Sequence, residues 1–187
     1  MLVDDQPDRA LWLDEKLRDS GFDVISVLSS ANGLLFQIEQ LQPDLILVDL
    51  QSPGRDMLES FSVMNHHNPK PVVMFSAEDA TDFIQQAVAA GVTAYMSEEL
   101  QPSRVKPIID LALAQFSAYQ SLRQQLDAAK SQLAKQDVVE RAKALLMQHR
   151  QVNEQQAHNA LQKLAMDNNQ SLPAAAQAVI QILGGSH

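Results

Sequence analysis

The run Asp44-Leu45-Ile46-Leu47-Val48-Asp49-Leu50 decides how the first part of this chain folds. Leu45 to Val48 is apolar without alternation and closes on a carboxylate, the pattern of a strand buried on both faces. Outward from it lie further short apolar runs: Leu2-Val3, Val24 to Val27, Val72 to Phe75 and Ala94 to Met96. Helical patterns fall between them around Arg9 to Asp19, Leu34 to Leu41, Met57 to Met64 and Thr81 to Ala90. Gly21, Pro43, Pro71 and Gly91 punctuate the series. Strand and helix alternate through five units, which predicts an α/β, flavodoxin-like domain on a five-stranded parallel sheet.

In such a sheet, ligands gather at the carboxyl ends of the strands. Asp4 and Asp5 follow the first strand and Asp49 ends the third, so three carboxylates are expected in one pocket. Each taken alone suits a turn or a cap; three in register favour the pocket. Oxygen-rich convergence is what Mg²⁺ prefers, and a metal-neutralised carboxylate can attack a phosphoryl donor to form an aspartyl phosphate. The pattern resembles the receiver domain of response regulators. That resemblance implies Asp49 as phosphoacceptor, Asp4, Asp5, Asp49 and the Gln51 carbonyl as metal-facing groups, and Ser76 as the phosphate-sensing hydroxyl. Mg²⁺ is the candidate occupant, and no cofactor is required.

One departure changes the expectation. In GVTAYMSEEL, Gly91 to Leu100, Glu98 and Glu99 stand where the receiver family has a Lys-Pro pair. A carboxylate there repels phosphate oxygens that a lysine would hold. The pocket therefore reads as an inherited scaffold, with control by a protein partner in place of phosphorylation.

From about Val105 a long helix is expected, since neither Gly nor Pro interrupts Ile108 to Leu133. Within it Ala112, Gln115, Tyr119, Leu122, Leu126, Ala129 and Leu133 keep alternating steps of three and four, a short coiled-coil register. Tyr119, Leu122, Leu126, Ala129 and Leu133 are the candidate residues of a homodimer seam. The alternative is that the stripe packs back on its own chain.

The tail contains Asp137 to Leu172, DVVERAKALLMQHRQVNEQQAHNALQKLAMDNNQSL. Val138, Val139, Ala142, Leu145 and Leu146 form one helical stripe, with Lys143 and Arg150 on a polar flank. Asn153 and Gln156 have capping-box spacing, with Val152 placed to staple onto Ala157. Ala157, Ala160, Leu161, Leu164 and Ala165 make a second stripe. After the break Asp167 to Ser171, Pro173 suits the first turn of a third helix carrying Ala176, Val179, Ile180 and Leu183. A three-helix unit ending at Gly184-Gly185 is predicted.

ERAKALLM, NEQQAHNAL and LAMDNNQSL resemble the ANTAR output domain of transcription antitermination regulators, which binds RNA. Ala144 stands where that family usually has glycine, and Gln170 where a basic residue is common. The candidate RNA contacts are the cations Arg141, Lys143, Arg150 and Lys163, with Asn168 and Asn169 offering hydrogen bonds to unstacked bases. Together with SPGRD at Ser52 to Asp56, PVVMFSAED at Pro71 to Asp79 and GVTAYMSEEL, the chain resembles the AmiR/NasT group, in particular its nitrate-assimilation members. The resemblance implies a regulator of nitrate/nitrite assimilation genes, held by a nitrate/nitrite-sensing partner protein and released to bind leader-mRNA hairpins. The expected domains are a receiver over 1–104, a coiled-coil linker over 105–136 and an ANTAR bundle over 137–187.

Composition agrees with this division. The 187 residues carry a formal charge of −9, which at first argues against a nucleic-acid binder. Met1 to Ile109 holds 7 Lys or Arg against 17 Asp or Glu, whereas Asp110 to His187 holds 7 against 6. The acid thus belongs to the front domain, and RNA binding by the tail must rest on shape and placed contacts as well as charge. No stretch suits a membrane span, no signal peptide is evident, and zero cysteines fit a cytoplasmic protein. With no P-loop, nucleophile elbow or zinc spacing, no enzyme is expected. His66-His67 read as surface residues and Trp12 as packing. Two rival readings stand beside RNA binding: a DNA-binding response regulator, and a protein-interaction module that binds no nucleic acid.

Overall fold

The computed structural model describes residues 1–51, 53–97 and 102–184. Ser52, Glu98, Glu99, Leu100 and Gly185 lie outside the described residues, and with them the expected charge inversion after the fifth strand. The chain divides into two compact units, Met1–Gln120 and Ser121–His187.

In the first unit, strands β1 (Leu2–Asp4), β2 (Val27–Leu28), β3 (Ile46–Asp49), β4 (Val72–Phe75) and β5 (Ala94–Met96) alternate with helices α1 (Pro7–Asp19), α2 (Leu34–Leu41), α3 (Arg55–His67) and α4 (Thr81–Ala90). The five strands pair in parallel in the order β2-β1-β3-β4-β5, the flavodoxin-like arrangement. Successive side chains leave a strand on opposite faces, and both faces are buried. Val3, Ile46, Val48, Val72 and Met74 pack with Leu34 and Ile38 of α2 and Met57 and Phe61 of α3. Leu2, Leu47, Val73 and Phe75 pack with Leu13 and Leu17 of α1 on the other face. This is why Leu45 to Val48 shows no polar alternation.

The edge strand departs from expectation. The apolar run Val24 to Val27 predicts a four-residue strand, but the ladder reaches only Leu2↔Val27 and Val3↔Leu28. An edge strand needs one partner and one buried face, so its apolar residues need not all join the ladder. Val24 packs against the α1 side of the sheet without pairing. At the far end of α4, Gly91 adopts φ +106, and a Cβ there would come within 2.8 Å of the Asn65 side chain. Left-handed backbone and close approach both require glycine.

Helix α5 runs unbroken over Pro102–Arg150. Val105, Ile109 and Ala112, spaced by four and three, are buried against the α1 face of the sheet. The stretch from Val105, read from sequence as the start of a linker, therefore supplies receiver core. Farther along, Tyr119, Leu122, Leu126, Ala129 and Leu133 are all exposed.

In the second unit, the end of α5 packs with α6 (Glu154–Asp167) and α7 (Leu172–Gly184). Ala142, Leu146, Ala157, Leu161, Ala176 and Val179 form the core. Alanines at the contacts let helix axes approach closely, and Leu161, fully buried, contributes about 1.5–3 kcal/mol by removal from water. Ala160, expected in the α6 stripe, is instead exposed, because it lies outside the arc set by Ala157, Leu161 and Ala165. Among the described residues, no helix is long and apolar enough to cross a membrane.

Candidate functional site

Two places carry polar chemistry, one in each unit. In the first, parallel pairing brings Asp4 beside Asp49 at the carboxyl ends of β1 and β3. Asp4 is 2% and Asp49 7% exposed, and Asp5 stands at the rim. Asp49 and Arg9 line an open cleft of about 400 Å³ that also meets Trp12, Phe75 and Ser76. The three carboxylates expected in one pocket do stand together at the strand ends. The oxygen chemistry is that of the acidic pocket at which receiver domains typically hold Mg²⁺.

Arg9, absent from the sequence reading of this site, stands among the carboxylates. Its Nε and Nη2 donate to Asp4, with Nη2 to Oδ1 at 2.8 Å and Nε to Oδ2 at 3.0 Å. Nη2 also reaches Asp5 Oδ1 at 3.2 Å, Asp49 Oδ1 at 3.2 Å and the Asp49 carbonyl at 2.8 Å. Partial burial opposes the charge, but hydrogen bonding to Asp4 and the charges of Asp49, Asp4 and Asp5 outweigh it and raise the guanidinium's pKa above its ordinary value. A signal was present in the sequence: Arg9 lies in the first turn of α1, where the helix dipole disfavours a cation unless carboxylates hold it. The Gln6 N–H donates to Asp4 Oδ1 at 2.8 Å and the Gln51 N–H to Asp5 Oδ2 at 3.4 Å. Among the described residues, no group of three His, Cys, Asp or Glu side chains is disposed to hold a metal ion.

Ser76, 6% exposed, follows β4 and lines this cleft, and its Oγ accepts from the Glu78 N–H at 3.2 Å. Tyr95 of β5 donates its hydroxyl proton to the Glu78 carbonyl at 2.6 Å. Burial raises the Tyr95 pKa; a hydrogen bond with Ser76 works against this, and the charges of Glu78 and Asp79 add to it.

In the second unit, Arg141, Arg150 and Lys163 are exposed, as are Asn168 and Asn169. Lys143 is not on the open flank expected for it. It is 7% exposed, and its Nζ donates to Glu154 Oε1 at 2.7 Å and lies 2.8 Å from Glu140 Oε1. These bonds to Glu140 and Glu154 raise the lysine's pKa, and Lys143 holds the Glu154 carboxyl below its ordinary range. A phosphate would have to displace two carboxylates to reach this ammonium. The helix boundaries follow from caps: Asn153 and Gln156 complete a reciprocal capping box at the start of α6. At its end Asn169 adopts φ 52, with the Asn169 N–H donating to the Met166 carbonyl and the Gln170 N–H to the Ala165 carbonyl, a Schellman turn. Asn168 turns its side-chain amide back to the Leu164 carbonyl at 2.8 Å. Ser171 Oγ then accepts from the Ala174 N–H, capping α7.

The family description "Response regulator receiver domain" matches residues 1–110, and "ANTAR domain" matches residues 127–180. The chain is 27% identical over 184 residues to the transcriptional regulatory protein PdtaR of Mycobacterium tuberculosis, a match covering 98% of this chain and 90% of that protein. It is 30% identical over 105 residues to the DNA-binding response regulator MtrA of Mycolicibacterium smegmatis, covering 56% of this chain and 46% of MtrA. In fold it is similar to the signal receiver domain of a modulated diguanylate cyclase from Desulfovibrio desulfuricans, with TM-score 0.55, 20% identity, and coverage of 63% of this chain and 94% of that one.

Proposed function

Because the chain belongs to the response regulator receiver family and carries an ANTAR domain after its receiver, we propose that it is an RNA-binding transcription antitermination regulator controlled by a protein partner. The observation that carries this reading is the ANTAR match over 127–180, which falls on a helical unit whose Arg141, Arg150 and Lys163 are exposed. These three cations contact the phosphates of leader-mRNA hairpins in the cytoplasm. Asn168 and Asn169, at the turn between α6 and α7, face unstacked loop bases. Lys143 acts inside the fold, so its share in binding is indirect.

Similarity to PdtaR along nearly the whole chain supports a transcriptional role for both units together. Similarity to MtrA is confined to about half the chain and so lends the output domain no DNA-binding character. The finer reading is nitrate or nitrite assimilation, with a nitrate/nitrite-sensing protein holding the regulator until its ligand arrives. It rests on the resemblance of SPGRD, PVVMFSAED and GVTAYMSEEL to the AmiR/NasT group. The exposed Tyr119, Leu122, Leu126, Ala129 and Leu133 serve a homodimer seam.

The test is binding of the full chain to a two-hairpin leader RNA and to duplex DNA of equal charge, across a salt series, with and without the sensor protein. RNA preference that the sensor abolishes supports both the output and the switch. Preference for duplex DNA replaces the reading with a DNA-binding regulator. Binding to neither, with tight sensor binding, replaces it with an interaction module.

A further inference from the structure

Arg9 is the one cation placed within hydrogen-bonding reach of Asp4, Asp5 and Asp49 together among the described residues. Its Nη2 touches an oxygen of all three, and also the main-chain carbonyl of Asp49. A hard divalent ion would need those same carboxylate oxygens, at contact distances near 2.0–2.1 Å for Mg²⁺. A guanidinium nitrogen instead sits about 3 Å from each acceptor and donates in fixed directions. Nε and Nη2 take Asp4 side-on, while Nη2 also lies within reach of the other two carboxylates. The cation is attached through the chain, so it is present at the pocket whatever the concentration of free ion.

We infer that Arg9 is a built-in cation that takes the divalent-ion position of the receiver pocket, so that this receiver holds its acidic cluster together without Mg²⁺. Arg9 is a positioning residue here: it holds Asp4 and Asp49 side by side at the ends of β1 and β3. The inference is independent of whether the second unit binds RNA. It also accords with control by a partner, since a pocket closed by its own arginine does not respond to the ion.

The experiment is thermal melting and isothermal titration of the full chain with Mg²⁺, using K⁺ at matched ionic strength as the control. Four proteins are compared: wild type, Arg9→Ala, Arg9→Gln, and Arg9→Ala combined with Asp49→Ala. Wild type shows no saturable heat, and its Tm in Mg²⁺ equals that in K⁺. Arg9→Ala and Arg9→Gln melt lower in K⁺, because Asp4 and Asp49 are left facing one another. Both bind Mg²⁺ saturably and regain a few degrees of Tm. Asp49→Ala in the Arg9→Ala background loses that gain. Saturable Mg²⁺ binding by wild type overturns the inference. So do folded Arg9 variants that bind no Mg²⁺, since Arg9 would then not be what keeps the ion out. The wild-type titration decides the first point even where a variant fails to fold.

Discussion

The Lys143 ammonium lies 2.7 Å from Glu154 Oε1, tying the end of α5 to the first turn of α6. Glu140 completes the arrangement from one turn before on α5, at 2.8 Å. A lysine so held, only 7% exposed, serves the packing of the helical unit. Lys143→Met is therefore expected to lower the melting temperature of the second unit while leaving the salt dependence of RNA binding unchanged. Circular dichroism melting and a salt series check the two halves; a shallower salt slope with unaltered melting would return Lys143 to the RNA surface.

The same pair sets a pH dependence. Glu154 has a depressed carboxyl pKa because of Lys143, so its contribution is present above the ordinary carboxylate value and is lost as pH falls through the depressed one. Lys143 has a raised pKa, so its contribution is present below the ordinary lysine value and is lost as pH rises through the raised one. The Tm difference between wild type and Lys143→Met should stay level around neutral pH and shrink in acid. A difference that persists unchanged in acid would show that the ion pair does not account for the effect.

Arg141, Arg150 and Lys163 are the exposed cations assigned to phosphate. Each one replaced by Ala should make the slope of log K against log salt shallower by roughly 0.7–0.9, the signature of one lost phosphate contact. Affinity falls alike for hairpins of different loop sequence, since phosphate carries no sequence information. A variant whose slope matches wild type takes that residue off the interface.

How far these features could be read beforehand depends on whether their cause is local. Leu45 to Val48 declared a strand covered on both sides because each residue individually meets a core. Asn153 and Gln156 declared a helix start because a capping box closes within four residues. The extent of β2 was not legible, since an edge strand can leave Val24 packed but unpaired. Nor was the partner of Lys143, eleven residues away on another helix. Helical periodicity sets which flank Lys143 occupies but not what the next helix brings against it. Arg9 was legible only as an anomaly, a cation in a first helical turn, and its meaning required seeing β1 and β3 side by side.

Asn169 permits structure and recognition to be separated. Its φ of 52 falls in the left-handed region, where a Cβ costs about 1–2 kcal/mol except as Asn or Asp relieve it, and where Gly pays nothing. Asn169→Gly should therefore keep the α6–α7 turn and its melting temperature while removing the exposed amide; Asn169→Ala should lower both stability and hairpin binding. If the Gly variant binds hairpin RNA as wild type does, the amide makes no base contact and Asn169 serves the turn alone.

The seam on α5 is the remaining test. Leu122 and Leu126 are 65% and 52% exposed, and with Tyr119 and Leu133 they leave a row of large apolar groups in water along one side of the helix. Such a row is costly to leave uncovered, and the steps of three and four match a two-stranded coiled coil. Replacing Leu122 and Leu126 together by Lys puts like charges across the seam without touching Val105, Ile109 or Ala112, which hold α5 to the sheet. The substituted chain should fold, retain its receiver melting transition and sediment as a monomer where wild type sediments as a dimer. Equal mass for both in light scattering would remove the coiled coil, and RNA binding by the monomeric variant would then measure how much of the affinity came from presenting two helical units at once.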